Sequence, residues 1–368
     1  MKRFVTGALA LLALAAIPVS GGDSARALAA PPSATGKTFF VSPAGSDANP
    51  GTPRRPWKTI ERALNTLKPG QRALVRAGTY GRASCPHGKG GSRNGGYVTL
   101  QGYPGERPVL TGAFDGILWV DCDYLRVQGF VIAGPAVVGG TNVYGLAGAD
   151  HVRLVANEIR GSVCQGIALD PGSADWVIAR NRIHDNGHGC DEQAHGIYLQ
   201  GDRHLVANNV IADHPEGYGI QNYPYSRNAR IVNNTITRSG RGGIVVGGSG
   251  CSRSACGVAG TLILNNILAF NSTYGIARNT ESPASCELRS NLAFANGSGS
   301  YESGWPAKCL GRNLTANPLF RNQAKRDYRL RARSPAIDAG DAGAAVSPAF
   351  DGVARPRGRR SDIGAYER

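Results

Sequence analysis

The chain has 368 residues, 51 of them glycine, with 41% hydrophobic and 18% charged side chains and a formal net charge of +15. That length supports one large core, and in a stacked repeat it need not split into domains, because each unit touches only its neighbours. The positive excess, carried by arginine far more than by lysine, fits either a polyanionic partner or a coding bias toward arginine; nucleic acid is set aside as that partner, since the chain reads as exported and carries no recognised binding module.

Residues 1–30 read as a secretory signal, with Lys2 and Arg3 at a charged start, an apolar stretch from Ala8 to Val19 and a small-residue cleavage site at Ala27–Ala29. No cysteine stands at that site, which argues against a lipid anchor, and no later segment is suited to cross a membrane. The expectation is a secreted monomer. Eight cysteines in an exported chain suggest disulfides, although sequence leaves the connectivity open. Neighbour pairing gives Cys85–Cys122, Cys164–Cys190, Cys251–Cys256 and Cys286–Cys309.

Residues 31–80 read as a cap. A strand and turn over 38–52 precede an amphipathic helix from Thr59 to Thr66, with Ile60, Ala63, Leu64 and Leu67 on one face and a stop at Pro69-Gly70. A helix there hides the open end of the structure that follows.

From residue 157 onward two motifs recur. Asn-x-Ile or Asn-x-Leu begins at Asn157, Asn181, Asn209, Asn234 and Asn266, in steps of 24, 28, 25 and 32 residues. Gly-Ile begins at Gly166, Gly196, Gly219, Gly243 and Gly275, in steps of 30, 23, 24 and 32. Two motifs sharing one irregular period define one unit stacked on itself. Apolar residues alternate within it and no helical face separates the copies, so the expectation is an all-β parallel β-helix solenoid with a short N-terminal capping helix. The asparagines tolerate sharp turns and can bond to the next coil, so they read as a structural ladder and not as ligands.

Period-two alternation predicts sides. Ile167, Ile197, Ile220 and Ile244 point inward, which puts Ala168, Tyr198, Gln221 and Val245 in one outward column and Asp170, Gln200, Tyr223 and Gly247 in the next. Asp170, Tyr198, Gln200, Gln221 and Tyr223 then share a polar, aromatic patch suited to sugar rings and hydroxyls. The alternative is an ordinary solvated sheet face.

One coil is longer than its neighbours. Ile183 to Ile197 takes 14 residues where the others take 8 or 9, and the insertion His184–Gln193 holds two histidines and three acids. Loops of this kind carry function on one face of a solenoid. His188, Asp191 and Glu192 are candidates there, the last two for a metal; a disulfide-pinned decorative loop is the alternative. His195 falls with the inward residues by parity, and a buried structural histidine competes with a catalytic one. Arg180, Arg182 and His184 alternate outward on the neighbouring sheet, and Tyr225 and Arg227 follow Tyr223; these are expected to border the groove.

The stretches Phe40–Thr52 and Ala77–Tyr80, with Asn317–Phe320, Asp327–Leu330, Ser334–Gly340 and Asp362–Glu367, resemble the opening and closing segments of secreted bacterial right-handed parallel β-helix proteins of the pectate lyase-like group. The resemblance covers nearly the whole chain after the signal. It implies a right-handed β-helix over 31–320, a C-terminal capping segment over 321–368, and a polysaccharide lyase or related carbohydrate enzyme. It does not select a substrate, because this architecture carries many activities.

A lyase acting on an acidic, uronate-containing polysaccharide neutralises the carboxylate, removes the adjacent proton and assists the leaving oxygen. Arg180 or Arg227 suits the first task, His195 or His188 the second, and Tyr198 or Tyr223 the third. No lysine lies between Lys89 and Lys308, which disfavours a lysine base. A uronate epimerase would use the same groups. A glycoside hydrolase needs two carboxylates, and a non-catalytic polysaccharide-binding solenoid needs only the face. Calcium at the acidic residues is a further option without a recognisable loop spacing. The reading is a secreted lyase with its site between coils 160 and 230.

Overall fold

The computed structural model describes residues 36–112, 116–134, 139–191, 194–248, 257–279 and 285–368. The signal reading (1–30), Glu192 and the Cys251–Cys256 pair fall outside these residues.

Three parallel sheets wrap one core. The first, of ten described strands, runs from Thr38–Val41 to Cys286–Arg289; the second, of nine, from Thr79–Tyr80 to Leu292–Phe294; the third, of nine, from Ala83–Cys85 to Gly299–Tyr301. Each coil contributes one strand to each sheet, and every pairing in these three sheets is parallel. The Gly-Ile strands form the third sheet, with Ile167, Ile197, Ile220, Ile244 and Ile276 in consecutive register. All five are fully buried. Each contributes about 1.5–3 kcal/mol by leaving water.

The asparagine ladder closes the turn between the first and second sheets. Asn209 Oδ1 accepts the main-chain N–H of Asn181 at 2.8 Å, while its amide donates to Ile178 O at 2.8 Å and to Asn234 Oδ1 at 3.0 Å. The same pattern runs from Asn157 to Asn266 and extends to Asn291 and Asn313. Buried turn amides thus find partners coil by coil. Asn186, Asn271 and Asn296 do similar work at the turn into the third sheet.

The capping helix, α1, spans Ile60–Thr66. Thr59 is its N-cap and accepts the N–H of Arg62 at 3.0 Å. Ile60, Ala63, Leu64 and Leu67 are buried as the pattern predicts. Cys85–Cys122, Cys164–Cys190 and Cys286–Cys309 are bonded, each joining neighbouring coils.

The C-terminal segment is not a plug on the last coil. It lies along the flank of the solenoid. Phe320, Tyr328, Leu330, Ile363 and Tyr366 pack on Val210, Ala212, Ile267 and Ala269 of the second sheet, and Ala344 and Val346 on Val177, Leu205 and Val232 of the first. Outward residues of those coils are apolar because this strap covers them. Asn208, Asn233 and Asn265 bond to its backbone, and Arg326 clamps Asp185 through two 2.7 Å contacts and Asp213 at 2.9 Å.

Candidate functional site

The outer face of the third sheet gathers the polar and aromatic side chains. Its first outward column reads Ser84, Trp119, Tyr144, Ala168, Tyr198, Gln221, Val245 and Ala277 in register. Trp119 and Tyr144 stack at 4.8 Å between ring centres, and Arg82 lies over Trp119 at 5.3 Å. The Tyr144 phenol donates to Asp170 Oδ1 at 2.7 Å. Burial and that bond hold Tyr144 protonated, with its pKa pushed up to about 12.

A local irregularity shapes the middle of this face. Leu199 pairs with Asn222 but Gly201 pairs with Ser226, so Gln200 alone stands opposite Tyr223, Pro224 and Tyr225. The extra residues bulge outward. Tyr223 and Tyr225 are consequently half-buried, flanking Tyr198. Burial first, then these two phenols and Asp170, push the Tyr198 pKa up to about 12. Asp170, Tyr198, Gln221 and Tyr223 therefore lie together on this face, and Tyr225, expected at the border of the groove, stands beside them. Gln200 does not join them. It is buried, and its amide donates to Leu169 O at 3.3 Å.

Beside this cluster lies a cleft of about 520 Å³. Tyr218, Gln221, Tyr223, Arg241, Arg278 and Glu302 line it with their polar groups, over a floor of Val245 and Ala277. The Arg241 guanidinium sits 6.0 Å from the centre of the Tyr218 ring. Glu302 Oε2 accepts the main-chain N–H of Arg278 at 2.8 Å. Gly242 gives Tyr218 its room: a Cβ there would stand 3.1 Å from Tyr218 Cε1 and 3.0 Å from Thr273 Oγ1.

His195 lies beneath this surface and is fully buried. Its Nδ1 accepts the Tyr218 N–H at 3.1 Å, and its ring is 6.0 Å from Tyr198 and 5.9 Å from Tyr218. Burial, then His214 and Arg241, depress its pKa to about 3. Gln221 lies close enough to favour the protonated ring slightly, although neither His195 Nε2 nor Gln221 Oε1 has a well-formed hydrogen bond. A neutral ring accepting at Nδ1 carries its proton on Nε2. His195 is thus a support for Tyr218 and not an exposed base.

The expected border of the groove is elsewhere. Arg180 Nε reaches Phe350 O at 3.5 Å, and Arg182 Nη2 reaches Arg326 O at 3.5 Å, both under the C-terminal strap. His184 is buried between Asp185 (2.7 Å) and Glu158 (3.2 Å), with Arg326 at 3.3 Å. These three serve the strap, which alternation alone cannot reveal. Arg227 stays on the third sheet, in register with Asp202 and exposed.

The insertion lies at the same edge as the cleft, one coil earlier. Glu216, two residues before Tyr218, accepts the N–H groups of Gly189 (2.8 Å) and Cys190 (3.1 Å), which lower its carboxyl pKa. His188 and Asp191 are exposed there. Among the described residues no three His, Cys, Asp or Glu side chains converge in a metal-binding group. Glu192, the expected partner of Asp191 at a metal, lies outside the described residues.

Arg241, Arg278, Tyr218 and Glu302 were not singled out by sequence. Arg278 pairs with Val246, an inward position, but stands at the end of its strand and turns into the cleft. The available signal is the change from Tyr198 and Gln221 to the smaller, apolar Val245 and Ala277 along the same outward column.

A family model described as a right handed beta helix region matches residues 145–313, and one described as a protein of unknown function matches 43–86. An uncharacterized protein of Bacillus subtilis strain 168, YwoF, is 25% identical over 139 residues, which is 34% of this chain and 29% of that protein; the match thus spans less than a third of the relative's length. The crystal structure of pectate lyase Pel9A superposes with a TM-score of 0.64 at 15% identity, over 95% of this chain and 100% of that one. A structure titled glycoside hydrolase gives 0.56 at 8% identity, over 74% and 89%. At these identities the likeness establishes the fold.

Proposed function

We propose that this chain, a right-handed parallel β-helix, is a secreted carbohydrate-active enzyme of the pectate lyase-like group, a lyase that cleaves an acidic, uronate-containing polysaccharide by β-elimination. The observation that carries this reading is the cleft lining: two arginines and three tyrosines beside a single carboxylate. Hydrolysis of a glycosidic bond calls for a pair of carboxylates flanking it. Glu302 is the one carboxylate among the described lining residues, and it already accepts the Arg278 N–H.

In this reading Arg241 and Arg278 bind the uronate carboxylate and stabilise the charge that develops when C5 loses its proton. Tyr218, as its phenolate beside the Arg241 guanidinium, takes that proton and becomes the neutral phenol. The C5–H electrons form the C4–C5 double bond, the C4–O bond breaks, and the leaving oxygen takes a proton from Tyr198. Tyr198 suits an acid because its surroundings keep it protonated at neutral pH. Tyr223, Tyr225, Asp170 and Gln221 hold the sugar rings and hydroxyls. The three disulfides fit an oxidising compartment, and no helix among the described residues is long and apolar enough to cross a membrane.

The test is equilibrium binding of a uronate oligosaccharide and its carboxyl-reduced, neutral counterpart to Tyr218→Phe protein. Reduction of the carboxyls is expected to weaken binding at least tenfold. Equal affinity for both would overturn an acidic substrate.

A further inference from the structure

Part of the positive charge of this chain has a location of its own. Residues 321–368 hold eleven Lys or Arg against six Asp or Glu. Most of these arginines are exposed, and four of them, Arg321, Arg329, Arg357 and Arg368, line one concavity of about 170 Å³ on the C-terminal strap. Tyr366 forms part of its wall, with Arg329 over its ring at 5.3 Å. Tyr366 packs in the strap's contact with the second sheet, so this concavity belongs to a different face from the third-sheet cleft.

The nearby acids do not balance these arginines. Asp327 (3.3 Å) and Asp351 (3.8 Å) both engage Arg329. Glu367 spends Oε2 on the buried Arg355 guanidinium at 2.7 Å and on the Asp362 N–H, and Oε1 on the Arg357 N–H. The guanidinium groups of Arg321, Arg357 and Arg368 make no ion pair or side-chain hydrogen bond among the described residues. Like charges gathered at a concave surface raise the local potential for an anion. Guanidinium forks match a planar carboxylate or a sulfate with paired N–H donors.

We propose that this concavity is a second, non-catalytic binding site that takes a carboxylate or sulfate group of an acidic polysaccharide and anchors the polymer while the cleft works. Only the choice of ligand rests on the function proposed above; the anion site itself does not. With two sites on one body, a long polymer gains affinity by avidity that a short oligosaccharide cannot.

The experiment uses the full chain and the triple variant Arg321→Gln/Arg357→Gln/Arg368→Gln. Binding is measured to polygalacturonate, to dextran sulfate and to duplex DNA across a salt series, with the thermal midpoint as a control for folding. The expected result is an affinity for polygalacturonate at least tenfold weaker, a shallower salt dependence, and unchanged binding of a trisaccharide that fills only the cleft. The dextran sulfate arm decides whether sulfate as well as carboxylate is accepted: a matching loss assigns both, and no loss assigns carboxylate. Tyr218→Phe is expected to lower turnover about 100-fold or more while leaving this polymer binding in place, which separates failure of the cleft from failure of the anchor. Wild-type polygalacturonate affinity in the triple variant would overturn the site. A loss confined to DNA would overturn the ligand class.

Discussion

His195 Nδ1 accepts the main-chain N–H of Tyr218 at 3.1 Å, across the junction of two consecutive coils. The two residues hold equivalent corner positions, each preceding a Gly-Ile pair. One is buried and neutral; the other reaches the cleft. Tyr218→Phe removes the phenol but leaves its N–H and that bond. Turnover is expected to fall about 100-fold or more, the usual weight of a proton-transfer group, with an unchanged thermal midpoint. His195→Ala is expected to lower both. Kinetics and circular dichroism melting separate the two variants.

The buried histidines set the acid limit. Burial depresses His195 to about 3 and His204 and His214 to about 4. Each binds its proton near pH 6.5 when unfolded. The unfolded chain thus holds more protons below that pH, and stability falls as pH drops from about 6.5 toward 4. Each histidine withdraws about 2 kcal/mol by pH 5. Asp362, raised to about 6, acts in the opposite sense and offsets part of this. Denaturant titrations at pH 7.5 and pH 5 are expected to show a net loss at the lower pH.

The asparagine ladder makes one site unusually sensitive. Asn209→Ala leaves two donors of Asn181, the Ile178 carbonyl and Asn234 Oδ1 short of partners in a buried turn. Unpaired buried groups cost about 1–3 kcal/mol each. The variant is expected to lose about 3 kcal/mol or more in urea denaturation, with binding at the cleft unchanged in whatever fraction folds.

Gly242 tests the cleft from its wall. Gly242→Ala places a methyl 3.1 Å from the Tyr218 ring and is expected to displace it. Small misplacements of a catalytic group cost on the order of 10- to 100-fold in rate. A normal kcat/KM would show that Tyr218 need not stand where it does.

The fold was legible because the solenoid writes its period into the chain: inward isoleucines, turn asparagines and the α1 cap all stand where alternation and spacing put them. The same parity puts Asp170, Tyr198, Gln221 and Tyr223 on one face. What parity cannot show is which face a distant segment covers. Arg180, Arg182 and His184 point outward, yet the strap lies over them. Nor can it show a bulge, which buries Gln200 and lifts Tyr223. Arg278 escaped notice because strand ends do not obey the alternation of strand middles.

The most direct measurement is a time course of purified protein with polyuronates, following ultraviolet absorbance from unsaturated chain ends and reducing ends in parallel. The account predicts that both rise together, and that neither rises with Tyr218→Phe. New reducing ends without the absorbance would contradict β-elimination and point to hydrolysis.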